Sequence, residues 1–540
     1  MKIALAQLNY TIADIVGNKE KIIVALNKAK ESAADLVVFS ELSICAYPPD
    51  DLLDYPHFIS NCIQAVEEIA KHAIGITVIL GSPTFNESKI GRRLYNSACV
   101  LQDGIIKETV HKTLLPTYDV FNEARYFEEN SSFKTIEING KKLAITICED
   151  LWFEMERFNY TVNPLEELSK YGPDLLINIS ASPFNMHKKI ERLNVLKNVC
   201  MRYALPLVYV NQTGVHTDLV FDGNSMVINE SGSLVLECSN FKEDFQIFDT
   251  EKEYGEIDFK ETEETELMHD ALIYGIQNFF GKMGFSKAIL GSSGGIDSAV
   301  VQALATRALG AENVKAILMP SDFSSEGSVL DAKKLSENLK NNFEILPISN
   351  VFDSFGQTLK PMFEGLEFGL AEENIQARSR AVLLMAISNK FGHILLNTSN
   401  KSEMSVGYTT LYGDMCGSLS VMGDLYKTDV YKLARFINQD IEIIPYSIID
   451  KAPSAELRPN QKDSDSLPEY DVLDQILELY IEKQKGIEEI VQLGFEFALV
   501  NRIVGMVNRN EYKRFQAPPI IRIRSKAFGR GRQIPLVSKW

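Results

Sequence analysis

From its start to about residue 247 the chain alternates short apolar, β-branched runs with polar turns and with longer stretches whose apolar residues recur every three or four positions. "DLVVFSEL", "ITVILGSP", "KLAITICEDLW", "DLLINISASP" and "PLVYVNQTG" predict strands. "NKEKIIVALNKAKESA" and "FISNCIQAVEEIAKHA" predict helices that cover a sheet with one apolar face. A dense acidic stretch poor in aliphatic residues, "DTEKEYGEIDFKETEETEL" from Asp249 to Leu267, then breaks the pattern and reads as a connection between domains. The alternation restarts with the helix pattern "LMHDALIYGIQNFFGKMG", the strand "KAILG", a glycine-rich loop, the helix "IDSAVVQALATRALG" and the strand "VKAILMP". That order predicts a largely parallel sheet whose ligands sit at the carboxyl ends of its strands. The expected organisation is an α/β domain over 1–248, an acidic linker over 249–266 and a second α/β domain over 267–540, with no internal repeat.

Composition narrows the class. A chain of 540 residues exceeds one core of ordinary size. Apolar residues make up 45% and charged residues 24%, the profile of a globular protein in water. With 55 basic against 73 acidic residues the net charge is −18, which argues against nucleic-acid or anionic-membrane partners. No apolar run approaches the roughly 18 residues a membrane span takes. The opening "MKIALAQLNYTIAD" lacks the long apolar segment of a signal peptide. The seven cysteines include no C-x-x-C pair, so neither a zinc knuckle nor a disulfide framework is expected, and a cytoplasmic location fits best.

The loop "LGSSGGIDSA" lies between a predicted strand and a predicted helix. Gly291, Gly294 and Gly295 let backbone amides approach a ligand closely, and the helix N-terminus adds partial positive charge, a combination suited to phosphate. A loop built for γ-phosphoryl transfer would place a lysine after its last glycine. Here Ile296, Asp297 and Ser298 stand instead. An aspartate beside polyphosphate implies a metal that offsets the repulsion, so Asp297 is a candidate Mg²⁺ ligand. The stretch S-G-G-x-D-S resembles the ATP pyrophosphatase (PP-loop) family of adenylating synthetases. The resemblance implies cleavage of ATP between the α- and β-phosphates, with Ser292, Ser293 and their loop neighbours holding pyrophosphate.

Three reactive side chains end predicted strands of the first half: Glu41 in "VVFSEL", Lys112 in "HKTLLPTYDVFNEARYF" and Cys148 in "ITICEDLW". A thiol becomes a nucleophile when a base takes its proton, and a nearby ammonium stabilises the oxyanion that follows. Singly, each would be an ordinary core thiol or surface charge. Together the stretches resemble the nitrilase superfamily, and "AYPPDDLL" with "NISASPF" fits its glutamine amidase branch, which implies an αββα sandwich. The resemblance makes Glu41 the base, Lys112 the oxyanion stabiliser and Cys148 the nucleophile. It assigns Tyr118, Ser182 and Lys188 to glutamine and Glu123 to support of the triad. Ser40 and Ala46 depart from the residues common at their positions.

One site that frees ammonia and one that activates a carboxylate together make an amide. "NTSNKSEMSVGYTTLYGD", "GDLYKTDVYKLA", "AELRPNQKDSDSLPEYDVLD" and "EYKRFQAPP" are similar to the glutamine-dependent NAD⁺ synthetase family. That similarity implies ATP and deamido-NAD⁺ as co-substrates beside glutamine, Mg²⁺ as cofactor, a doubly wound PP-loop domain and a homo-oligomer. It implies Thr398 at ATP, Glu403 with Asp297 at the metal, and Asn374, Arg378, Glu403, Lys427 and Lys513 at the dinucleotide. The alternative is an amidotransferase of the same architecture acting on another carboxylate. Ammonia in water near neutral pH is mostly ammonium and lacks a lone pair, so passage through the protein interior is expected.

Overall fold

In the computed structural model, residue 89, residues 154–159, residue 460 and residues 539–540 lie outside the described residues; residue 460 belongs to the motif at 455–474. The chain divides into two compact units, Met1–Glu261 and Thr262–Trp540.

The first unit contains strands β1 (Lys2–Gln7), β2 (Leu36–Val38), β3 (Thr77–Phe85), β4 (Leu94–Gln102), β5 (Ile105–His111), β6 (Ile136–Ile138), β7 (Lys141–Ile147), β8 (Leu175–Ser180), β9 (Leu207–Asn211), β10 (Thr213–His216), β11 (Leu219–Asp222), β12 (Met226–Ile228), β13 (Leu234–Glu237) and β14 (Asp244–Asp249). They form two six-stranded sheets, ordered β14-β1-β2-β3-β4-β5 and β13-β12-β9-β8-β7-β6, with β10 and β11 as a separate hairpin. Strand alternation sends Ile3, Leu5, Leu36 and Val38 into the space between the sheets, where they meet Ile145, Ile147, Ile177 and Val210. Ala4, Ala6 and Val37 face the opposite way, onto helices α1 (Ile15–Glu31) and α2 (Pro56–Ala70). Ala144, Leu176 and Tyr209 of the second sheet pack likewise on α3 (Pro164–Ser169) and α4 (Lys188–Tyr203). The result is the expected αββα sandwich, whose strands read as continuous apolar runs because both faces are covered. Residues 249–261 of the acidic stretch lie on this unit: Ile257 N–H donates to the Leu234 carbonyl, and Tyr254 packs on Phe248.

In the second unit, β15 (Ala288–Gly291), β16 (Val314–Leu318), β17 (Asn342–Ile345), β18 (Ile394–Asn397) and β19 (Leu419–Ser420) form a sheet ordered β17-β16-β15-β18-β19, parallel throughout. The chain runs from β15 outward to β16 and β17, then crosses back to β18 on the other side. The switch point therefore lies between the carboxyl ends of β15 and β18, where open parallel sheets bind ligands. Helices α5 (Glu264–Met283), α6 (Ile296–Leu309), α7 (Glu326–Leu339), α8 (Ser349–Phe363), α9 (Leu370–Phe391), α10 (Lys401–Val406) and α11 (Lys427–Ile437) surround it. A second apolar cluster joins Met404 and Val406 to helices Tyr470–Ile481 and Phe497–Arg509. No helix among the described residues is long and apolar enough to cross a membrane.

Candidate functional site

In the first unit Lys112 and Cys148 directly follow β5 and β7, and Glu41 lies three residues beyond the end of β2. Because β4 runs antiparallel to both β3 and β5, β5 points the same way as β2 and β3, which brings Lys112 to the same end of the sheet as Glu41. Lys112 is wholly buried, with Nζ 2.8 Å from Glu41 Oε1 and 2.7 Å from Glu123 Oε1. Burial alone would lower the lysine pKa, but the two carboxylates outweigh it and hold the ammonium well above its usual value. Burial pushes Glu123 up to about 7 against the pull of Lys112. Tyr47 donates to Glu123 at 2.9 Å, and the Ala181 amide donates to Glu41 Oε2 at 3.0 Å. Gly81 makes the approach possible, since a Cβ there would stand 2.1 Å from the Leu42 nitrogen.

Cys148 opens the turn after β7 with φ of +43°, in the left-handed region that costs a non-glycine residue on the order of 1–3 kcal/mol. Burial raises its thiol pKa, Glu41 adds to the rise, and Lys112 acts the other way. Asp150 fixes the turn by accepting from Ile147 N at 3.0 Å and from Thr113 N and Leu114 N at 3.0 and 2.8 Å. One carboxylate thus ties the Cys148 turn to the residues after Lys112. Burial lifts Asp150 to about 6, although three backbone donors oppose the rise.

Of the residues assigned to glutamine, Tyr118 and Lys188 lie within electrostatic reach of Cys148. Tyr118 donates to both oxygens of Glu149 at 3.1 Å, and Tyr160 donates to the same group at 2.9 Å. Glu149, buried next to Cys148 in the chain, is a residue the sequence reading passed over; burial raises its pKa. Lys188 Nζ lies 3.7 Å above the Trp152 ring and 3.6 Å from Glu191, with its pKa lowered by burial. Ser182 is held by Asn211, which accepts from its amide at 2.9 Å and donates to its carbonyl at 3.2 Å. The buried pair Arg192 and Asp222, at 3.0 Å, stands behind it.

In the second unit the loop Gly291–Ser298 spans the switch point, and every residue of it but Gly294 lines a cavity of about 310 Å³. Gly294 has φ of +77°, and a Cβ there would meet the Ser328 carbonyl oxygen of α7 at 2.2 Å. The loop is closed on itself: Ser293 N–H donates to Ser298 Oγ and Gly295 N–H to Ser293 Oγ, both at 3.2 Å, while Ser292 bonds Gln302 at 2.9 Å. Thr398, after β18, lines the same cavity with Asp297, Glu403 and Lys427. Lys427 is buried, not solvated, with Nζ 2.5 Å from Asp297 and 3.2 Å from Glu403. Burial lowers its affinity for a proton, and the two carboxylates more than restore it. Burial moves Glu403 to about 8, with Lys427 opposing. Asn400 donates to Asp297 at 2.8 Å, and Asp463 adds a third carboxylate to the cavity wall.

Asn374, Arg378 and Lys513 gather on a different element, the loop after α10. Thr410 donates to Asn374 at 2.7 Å, Arg378 to the Leu411 carbonyl at 3.1 Å, and Lys513 to the carbonyls of Gly407 and Thr409 at 2.7 and 2.8 Å. None of these three side chains is among the described residues that line the cavity. Arg380, unread in the sequence, does line it, with burial lowering its pKa to about 10.

Residues 2–265 match the carbon-nitrogen hydrolase family and residues 268–517 the NAD synthase family. The glutamine-dependent NAD(+) synthetase of Synechocystis sp. is 44% identical over 99% of this chain and 98% of its own. That of Aquifex aeolicus is 39% identical over the whole of both. The structure of the enzyme from Acinetobacter baumannii in complex with ADP aligns with a TM-score of 0.79 at 39% identity, covering 99% of this chain and 98% of that one. The structure from Cytophaga hutchinsonii, at 21% identity, shares the fold with a TM-score of 0.84 over 100% of this chain and 98% of its own. With that identity sustained across both units, the chain belongs to the glutamine-dependent NAD⁺ synthetase family.

Proposed function

We propose that the chain converts deamido-NAD⁺ to NAD⁺ at the expense of ATP, with nitrogen from glutamine. The observation that carries the first half is the wholly buried ammonium of Lys112 between Glu41 and Glu123, beside a strained Cys148. Glu41 takes the thiol proton and the thiolate attacks the side-chain amide carbon of glutamine. Lys112 stabilises the oxyanion as it forms. Glu41 returns the proton to the departing nitrogen, ammonia leaves, and water cleaves the thioester to glutamate. Glu149, with Tyr118 and Tyr160, offers a buried anion to the α-ammonium of glutamine. Lys188 and Ser182 remain for its α-carboxylate.

In the second unit the carboxylate of deamido-NAD⁺ attacks the α-phosphorus of ATP, and pyrophosphate leaves. Gly291, Ser292, Ser293, Gly294, Gly295 and Ser298 supply amides and hydroxyls to the departing group, and Thr398 faces the nucleotide from β18. Ammonia then displaces AMP from the adenylate. Asp297 and Glu403 suit Mg²⁺, which binds through one or two carboxylates and substrate phosphates; here both already share the cation of Lys427. When bound, the metal would offset the charge of the phosphates. Asn374, Arg378 and Lys513 are read as fixing the loop at 407–411 against the dinucleotide.

The reading is tested by supplying ATP, glutamine and a panel of carboxylic acids and measuring AMP and pyrophosphate. Release only with deamido-NAD⁺ is expected. Equal release with an unrelated acid would sink it.

A further inference from the structure

The carboxylate pair around Lys112 has another donor to which the chemistry above gives no task. Asn96, wholly buried on β4, donates from Nδ2 to Glu41 Oε1 at 2.7 Å and to Glu123 Oε2 at 3.4 Å. Its backbone carbonyl accepts from Lys112 N–H at 2.9 Å, so the two residues are fixed neighbours. The side-chain oxygen Oδ1 is buried with no hydrogen-bond partner among the described residues. Leaving that acceptor idle is unfavourable, so the position serves what the N–H₂ end does. Turning the amide round would set Oδ1 against two carboxylates, which fixes its orientation.

A carboxylate offers about four lone-pair sites, shared equally by its oxygens. Lys112 Nζ and Asn96 Nδ2 take both on Glu41 Oε1, at 2.8 and 2.7 Å. The Ala181 amide takes one on Oε2, at 3.0 Å. A single site, on Oε2, remains. We propose that Asn96 is a positioning residue of the glutamine-hydrolysing site: by filling Oε1 it assigns proton exchange with Cys148 to Oε2 of Glu41, and by spanning Glu41 and Glu123 it keeps both carboxylates on Lys112. The proposal rests on the reading of Glu41 as the base. It yields a base whose reactive oxygen is chosen before glutamine arrives.

The test uses the full chain, with glutamine hydrolysis and ammonia-dependent NAD⁺ formation measured separately. Asn96→Leu keeps the branching at Cγ and removes the donor. Hydrolysis should fall about 10²-fold in kcat, the cost of a misplaced catalytic group, with KM for glutamine within about threefold. The acid limb of its pH profile should move upward, because a carboxylate that loses a donor holds its proton more tightly. Lys112, Glu123, Tyr47, Glu149 and Cys148 also face this pair. A second variant therefore accompanies the first and decides the matter if Asn96→Leu does not fold. Asn96→Asp is isosteric and donates only when protonated, so its hydrolysis should survive toward acid and collapse as pH rises. Hydrolysis within about threefold of wild type and an unmoved acid limb in Asn96→Leu, or a wild-type profile in Asn96→Asp, overturns the proposal. Glu41→Gln separates this from the reading beneath it. If that variant hydrolyses glutamine, Glu41 is not the base; if it is dead while Asn96→Leu is indifferent, only the positioning role fails.

Discussion

The two sites solve opposite problems. In the first unit, Lys112, Glu41, Glu123 and Asp150 are buried and bonded to one another or to backbone amides before any substrate enters. In the second, the glycine-rich loop faces a cavity of about 310 Å³, and among the described residues its hydroxyls bond only their own loop and the helix behind it. Covalent attack needs the base, cation and thiol fixed within hydrogen-bond reach, which a tight interior supplies. Holding a polyphosphate needs donors that can exchange one partner for another, which an open loop supplies. The closed site therefore depends on single atoms and the open site on summed charge.

The largest effect should come from breaking the closed site at its reactive atom. Cys148→Ala should cut glutamine-dependent synthesis by at least about 10⁴-fold, as removal of a nucleophile does, while ammonium salts still support NAD⁺ formation. Glutamine-driven activity in the variant would mean that another thiol does the work. At the open site Asp297→Ala should weaken synthesis from both nitrogen sources by about 10²–10³-fold, the scale of a lost electrostatic contact to developing charge. Glutamine hydrolysis should continue. Full ammonia-dependent activity with Mg²⁺ would remove Asp297 from the metal site.

The closed site also has a structural vulnerability in a buried ion pair. Asp222→Ala would strand the wholly buried guanidinium of Arg192 behind Ser182, a change that costs about 3–5 kcal/mol. Denaturant unfolding should show that loss, accompanied by a higher KM for glutamine. A stability change below about 1 kcal/mol would show that water or another group replaces the aspartate.

The α/β alternation and the parallel sheet were legible because both rest on periodicity, strands covered on both faces reading as continuous apolar runs and the helices between them carrying one apolar face. The αββα arrangement of the first unit came instead from the family resemblance. Glu41, Lys112 and Cys148 were singled out near the ends of such runs, but their grouping came from the family resemblance, since each alone would be an ordinary core thiol or charge. Asn96, Glu149 and Asp150 were not, though Glu149 and Asp150 directly follow Cys148. Their importance comes largely from groups distant in the chain, as in the bonds from Asn96 to Glu123 and Glu41, 27 and 55 residues away, and a local pattern carries no such information. "ICED" held the available signal, two acids entering a turn at the end of a buried strand. Lys427 shows the same limit in reverse. Its place at the dinucleotide came from the family resemblance alone, and only the fold lays it against Asp297 and Glu403.

The smallest effect, a slope, distinguishes how the open site keeps its charges. Glu403 titrates near 4.5 in an unfolded chain and is moved by burial to about 8 in the folded one. Between those values the folded state binds the more protons, so stability falls as pH rises through the window and levels off above it. A single group changes stability by at most about 1.4 kcal/mol per pH unit, and the ammonium of Lys427 at 3.2 Å offsets part of the cost of the charged form. Glu403→Gln removes the titration while keeping the shape. Its urea midpoint should therefore decline less than that of wild type between pH 5 and pH 8, the interval that the shift from 4.5 to about 8 defines. Parallel pH dependences would show that Glu403 stays ionised across the range and that Lys427 fully compensates it. The open site would then be as neutralised before substrate arrives as the closed one, and the contrast between them would rest on solvent access alone.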